Sequence, residues 1–163
     1  MAIKEVLQMG HPALEQICEP ITKINKQVLT LLDDLVDTMY TEDGVGLAAP
    51  QIGSNKRVVV IDTREEKPGL LELINPEIIE ASGQVTDLEG CLSLKGFVAD
   101  VPRYEVVSVQ AINRQGKRIR IKNAKGLLAR ALQHEIDHLD GKMYVEKSFN
   151  LRPVTYEPDQ PED

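Results

Sequence analysis

The chain has little cysteine, little histidine and a deficit of basic charge, and each shortage narrows what it can be. Only two cysteines, Cys18 and Cys91, occur in 163 residues. They are too few and too far apart for the disulfide framework of a small secreted scaffold, so each reads as a thiol. Lys and Arg total 19 against 26 Asp and Glu, a formal net charge of −7. No basic block offsets it, which argues against unspecific attraction to nucleic acid or to an anionic membrane. Arg118, Arg120 and Lys122 alternate and read as the solvated face of a strand. No apolar run approaches the roughly 20 residues a membrane helix requires. The opening MAIKEVLQMGHP has neither the apolar centre of a secretory signal nor the Arg/Ser richness of a transit peptide. The expectation is a mature chain that starts here and works in the cytoplasm, with no membrane partner and no direct nucleic-acid partner.

What is present suits a globular domain. Hydrophobic residues make up 42% and charged residues 28%, and a chain of this length buries roughly two-thirds of its unfolded surface in one core. There is no internal repeat and no interior linker. From Asn25 to Tyr40 the spacing of Val28, Leu31, Leu32, Leu35, Val36 and Met39 predicts an amphipathic helix with Asn25 as N-cap. Gly44, Gly46 and Gly53 then bracket a tight passage into a β-branched strand, Arg57 to Asp62. Thr63 to Gly69 reads as a connection, and Leu70–Ile74 and Glu77–Glu80 as short strands interrupted at Asn75-Pro76. Ser82-Gly83 turns the chain. Val85 to Leu94 holds the compact DLEGCLSL, and Lys95 to Pro102 reads as irregular. Tyr104–Ile112 and Lys117–Lys122 flank a turn as a hairpin, Gly126 to Gly141 is helical, and Lys142–Lys147 is a last strand or edge segment. The expected fold is α+β, with mainly antiparallel sheets packed around a central helix. Residues 1–149 form the single catalytic domain and 150–163 a mobile, acidic, Pro-rich tail.

That central helix carries the chemistry. Two of the three histidines, His134 and His138, stand in GLLARALQHEIDHLDG with Glu135 beside them. Positions i and i+4 share a helix face, so both imidazoles can reach one metal ion. The bland alternative is a solvated or core-packed pair. The third ligand is open at this point. Metzincin-type proteases place a His six residues after the second, where this chain has Tyr144, and thermolysin-like proteases need a Glu on a later helix. Glu146 lies too close, and Glu157 and Glu162 fall in the Pro-broken tail. Cys91 remains, a soft ligand beside Gly90, whose backbone can pass close to a metal; its other reading is a buried small hydrophobe. Nothing marks Cys18 for function. A Cys-His-His set leaves one tetrahedral position for water, the layout of a catalytic site. A bound divalent ion lowers water's pKa from about 15.7 toward about 7, and Glu135 can take that proton and pass it to a leaving amine. Amide hydrolysis is the implied reaction. Gly44 to Gln51 offers backbone N–H groups and a carboxamide for an oxyanion, although such glycines more often mark only a turn.

Three blocks, GVGLAAPQ at Gly44–Gln51, EGCLS at Glu89–Ser93 and QHEIDH at Gln133–His138, together resemble the peptide deformylase family in order and spacing. Weaker similarity reaches from the N-terminal segment to about Ser148. The resemblance implies removal of the formyl group from the N-terminal formylmethionine of nascent polypeptides, with release of formate. It implies Cys91, His134 and His138 as metal ligands and Glu135 as the general acid/base. Gln51 and the backbone N–H of Leu92 would stabilise the oxyanion as metal-activated water attacks the formyl carbonyl. It implies a peptide docked as an added strand near Val45, Gly46 and Gly90, and a methionine pocket lined partly by Val45 and Leu127. Fe(II) is the implied physiological metal, with Zn, Ni or Co accepted in its place.

Two departures stand out. Where many members have Pro-Gly after CLSL, this chain has Lys95-Gly96, at the expected rim of the substrate cleft. The basic C-terminal helix linked to ribosome contact in bacterial members is replaced by acidic, Pro-rich sequence. Any ribosome proximity is then transient, the partners are N-formylmethionyl peptides, and the chain is expected to be a monomer. The competing readings are an HExxH endopeptidase and a non-catalytic protein with a structural metal; the latter would need neither Glu135 nor Gln51.

Overall fold

A computed structural model describes residues 2–154. Helix α1 spans Lys26–Thr41 and starts where the periodicity places it: the Asn25 side chain accepts the Val28 N–H at 3.0 Å. Strand β1 is Gly46–Ala48, followed by a 3-10 turn, Ala49–Ile52, and by β2, Val58–Ile61. Then come β3 (Leu71–Ser82), β4 (Val85–Cys91), β5 (Leu94–Arg103), β6 (Val106–Ile112), β7 (Arg118–Ala124), helix α2 (Gly126–Leu139), a 3-10 turn (Tyr144–Lys147) and β8 (Phe149–Pro153). All strand pairings are antiparallel, in a five-stranded sheet ordered β1-β2-β3-β6-β7 and a three-stranded sheet ordered β4-β5-β8. The fold is α+β with mainly antiparallel sheet, as expected.

The unbroken apolar run of β2 has a direct cause. All four of its residues are buried, with Val58 and Val60 packed among α1 residues such as Leu32 and Leu35. Val59 and Ile61 face the other way, among Leu132, Ile136 and Leu139 of α2. A strand covered on both faces needs no polar alternation. Helix α2 stops at Gly141, whose φ of +74° suits the residue after a helix. A Cβ there would also sit 2.7 Å from the Glu15 carbonyl oxygen.

Four expectations need correction. The break at Asn75-Pro76 is a register shift inside one strand, β3, not an end. Asn75 adopts a positive φ of 52°, and its side chain pairs with both the N–H and the carbonyl of Ile21 at 2.8 Å. Those bonds satisfy both backbone groups of Ile21, which lies in no strand. Lys95–Pro102 belongs to β5 rather than to an irregular passage. Its buried positions are Ala99, Val101 and Arg103, whereas Lys95, Gly96 and Phe97 are all exposed, so the alternation covers only two buried residues within 95–102. Pro102 is tolerated because β8 pairs with β5 only between Phe97 and Asp100.

Tyr144–Lys147 forms a 3-10 turn instead of a strand, closed by the Met143 N–H donating to Glu146 Oε2 at 2.9 Å. The tail expected to be mobile from residue 150 is ordered at its start: Phe149–Pro153 is β8, paired with β5 and held by Asn150 and Arg152 on Asp100. Every β8 residue is exposed, so its composition gave no core signal; sheet-edge hydrogen bonds order it. The rest of the expected tail, 155–163, lies outside the described residues.

Candidate active site

Cys91 ends β4, while His134 and His138 project from α2, and the fold brings one ligand atom of each within 4.8 Å of the others. Cys91 Sγ lies 3.4 Å from His138 Nε2. Cys91 is half-buried against Ala99, Val101 and Tyr144, and its sulfur faces the imidazoles. Cys18 is buried elsewhere, and burial pushes its thiol up to about 11, which keeps it protonated and inert.

His134 is oriented from behind. Its Nδ1 lies 2.7 Å from Glu89 Oε1, which leaves Nε2 to face the cysteine. Glu89 in turn accepts from Arg103 Nε and Nη2, both at 2.8 Å, and from Arg130 Nη1 at 2.6 Å. Arg103 also reaches Asp137 at 2.7 Å. Burial would raise the Glu89 carboxyl, but hydrogen bonds from Arg103 and His134 outweigh it and hold the group down at about 2. The same contest runs at His134: burial disfavours its cation, yet bonds to Cys91 and Glu89 hold its pKa well above the usual range. His138 has no partner on its Nδ1 among the described residues, and burial followed by repulsion from His134 holds its pKa well below the usual range. A supporting carboxylate behind a ligand imidazole fixes its tautomer and ring plane.

Glu135 is buried beside these groups. Among the described residues its Oε1 has no hydrogen-bond partner, and burial pushes its carboxyl up to about 7. The chain makes room for it at Gly46 of β1, where a Cβ would lie 2.7 Å from Glu135 Oε2. Gln51 sits in the 3-10 turn after β1. Its Oε1 accepts the Ala48 N–H at 2.9 Å, and its Nε2 donates to Ser93 Oγ at 3.0 Å and approaches Cys91 Sγ at 3.6 Å. Fixing the oxygen this way turns the amide donor toward the sulfur.

A cleft of about 530 Å³ opens over these residues, with Val45, Gly46, Gly90, Leu92 and Leu127 among its walls. Val45 and Leu127 remain exposed at 37% and 47%, so apolar surface faces the opening. Both walls carry strands at the edges of their sheets: β1 pairs only with β2, and β4 only with β5, among the described residues.

The family model for polypeptide deformylases matches residues 3–153. The chain belongs to that family. It is 52% identical over 151 residues to a peptide deformylase from Carboxydothermus hydrogenoformans, covering 93% of this chain and 97% of that protein. To one from Symbiobacterium thermophilum it is 50% identical over 163 residues, covering 100% of this chain and 75% of that protein. Among solved structures it is similar to a peptide deformylase from Legionella pneumophila, with a TM-score of 0.86, 43% identity, and coverage of 90% of this chain and 86% of that one. A peptide deformylase from Ehrlichia chaffeensis in complex with actinonin gives a TM-score of 0.87 at 33% identity, covering 92% and 91%.

Deformylases depend on a metal, and the residues here fit one. A thiol and two imidazoles converge, and Glu89 leaves one His134 nitrogen free for bonding. A sulfur-nitrogen donor set of this kind suits borderline divalent ions. Tyr144, at the position where a metzincin would place its third His, is no ligand: its ring stacks on His134 with centroids 5.8 Å apart, and its hydroxyl donates to the Phe97 carbonyl at 3.4 Å. Burial, then the charges of Cys91 and Glu89, push that phenol up to about 12.

The support of the deformylase site was not legible in the sequence: Glu89 as the partner of His134, the arginines behind it, Ser93 under Gln51 and Tyr144 against the imidazole. Arg130 had a signal, since it precedes His134 by four residues and shares its helix face. Arg103 had none, being an isolated arginine just after the stretch read as irregular.

Proposed function

We propose that this chain removes the formyl group from N-formylmethionyl peptides, releasing formate, with Cys91, His134 and His138 holding one divalent ion. The observation that carries the proposal is the convergence of those three ligand atoms within 4.8 Å beside a buried carboxylate with an unpartnered oxygen. The ion supplies Lewis acidity, which brings the ionisation of water from about 15.7 toward about 7. Fe(II) is the native metal in this reading, and Zn, Ni or Co can take the same donors.

The chain's own groups do the rest. Glu135 takes the proton of the attacking water and delivers it to the departing amine; its burial suits a carboxyl that must hold a proton in one step and release it in another. Gln51 turns its Nε2 donor toward the oxygen that gains charge, and the Leu92 N–H supplies a second donor. Val45, Gly46 and Gly90 offer backbone at two free sheet edges, which supports docking of the peptide as an added strand. Val45 and Leu127 give the methionine side chain apolar surface. In this reading the chain acts as a monomer in the cytoplasm on newly made peptides, without a membrane or nucleic-acid partner, and any ribosome contact is transient. No helix among the described residues is long and apolar enough to cross a membrane. The catalytic unit of this reading is the compact body through β8.

The test is formate release from formyl-Met-Ala-Ser by protein loaded anaerobically with Fe(II) or Ni(II). Glu135→Ala is expected to keep its metal and lose about 100-fold or more in kcat, while Cys91→Ala loses the metal. A fully loaded wild type with no activity, or a Cys91→Ala variant with normal metal content, overturns the assignment.

A further inference from the structure

Most of the charged groups lining the cleft are spent. Glu89, Arg130, His134 and Glu135 are buried, and Arg130 and His134 each bond to Glu89. Among the described residues the cleft has two further charged side chains, Glu42 and Lys95, and these stand at its mouth. Lys95 Nζ lies 3.3 Å from Glu42 Oε2, with the side chains 54% and 31% exposed. Glu42 caps the end of α1, and Lys95 is the second residue of β5. The pair therefore ties the two walls together at the rim. Leu92 makes the same connection deeper down, where a Cβ on Gly44 would lie 2.8 Å from Leu92 Cδ1.

An exposed ion pair of this kind is worth little to the fold, so its partners exchange readily. The exchange is not symmetrical. Lys95 is the more exposed partner, and its ammonium has three donors, one of which serves Glu42. A carboxylate arriving in the cleft can be bound without displacing Glu42. A cationic side chain meets the more exposed Lys95 ammonium and is repelled by it, while Glu42, the less exposed partner, is screened by the ion pair it already makes.

Resting on the deformylase reading above, we propose that Lys95 is a specificity-determining residue that selects peptides with an acidic side chain at one of the two positions after the formylated methionine. A strand lying in the cleft turns successive side chains to opposite faces, so one of those two positions faces the rim pair. Because the contact is made before and during the reaction alike, its effect appears in KM rather than in kcat.

The experiment compares formyl-Met-Asp-Ser with formyl-Met-Lys-Ser, and formyl-Met-Ala-Asp with formyl-Met-Ala-Lys. The metal-loaded wild type, Lys95→Gln and Lys95→Glu are each measured at low and high salt. The wild type is expected to favour the acidic member of one pair in kcat/KM by about two- to fivefold, the worth of one exposed ion pair. That ratio should fall toward one in Lys95→Gln, invert in Lys95→Glu, and shrink with added salt. A structural role for Lys95 would change all substrates together and leave the ratio alone. An acid-to-base ratio that stays the same in wild type and Lys95→Glu for both pairs overturns the proposal while leaving the function intact. A loaded wild type that fails on neutral formyl-Met-Ala-Ser overturns both.

Discussion

At the scale of single residues, the site depends on how many groups share one buried carboxylate. Glu89 neutralises two buried guanidiniums and orients His134. Removing one member of a buried ionic cluster leaves the others uncompensated, a loss of about 3–5 kcal/mol. Glu89→Ala is therefore expected to unfold at markedly lower denaturant and to bind metal about 10- to 100-fold more weakly, read by urea titration and by competition with a chelator. Lys56→Ala makes the contrast: its partner is Glu19 at 3.4 Å, both side chains are about half exposed or more, and its removal should shift stability by less than about 1 kcal/mol. Gly46 marks a third kind of residue, present for what it leaves empty. Gly46→Ala would drive a methyl into the Glu135 carboxylate. Activity should fall about 100-fold while circular dichroism and metal content stay near the wild type; an unimpaired variant would show that Glu135 has slack in its position.

At the scale of elements, α2 and the hairpin of β4 and β5 divide the work. The helix brings two imidazoles and the carboxylate, and the hairpin brings the sulfur and Glu89. Arg130 joins them, donating from the helix to the carbonyls of Val101 and Val85 at 2.8 and 3.0 Å. β8 braces the far edge of the same small sheet, and the Val154 N–H that follows it donates to the Gly96 carbonyl at 2.8 Å. Val154 also lines the cleft. Truncation after Ser148 is expected to free the edge of β5, lowering stability by about 1–3 kcal/mol from the lost strand bonds and raising KM more than it lowers kcat. Thermal melts and steady-state kinetics on the truncated protein check this; unchanged values for both would mean that β8 contributes nothing to the hairpin.

At the scale of the whole molecule, two apolar cores hold the fold together. One packs α1 on the five-stranded sheet, and the other packs α2 on its opposite face. The fold therefore does not need the ion in order to form, unlike a small domain built around a structural metal. Chelation should abolish activity while the far-ultraviolet circular dichroism of the folded state persists. The melting temperature should then rise with free metal, by the equivalent of about 4 kcal/mol at a thousandfold excess over Kd. Unfolding on chelation alone at room temperature would contradict this.

What is local, or repeats at short range, was legible in the chain alone. The α1 periodicity with its Asn25 cap, the buried β2 run, the hairpin of β6 and β7, and two imidazoles with a carboxylate on one helix all follow from spacing along a few turns or a few strand residues. The chain also placed three blocks in a recognisable order, and so marked Cys91 and Gln51 without locating them. Tertiary structure decided everything that joins distant segments: the meeting of sulfur with imidazoles across 43 residues or more of chain, the arginine pair behind Glu89, the bulge at Asn75 and the ordering of β8. The physical reason is the same in each case. A buried charge or an edge strand draws its stability from a partner supplied by another element, and no window of the sequence contains both.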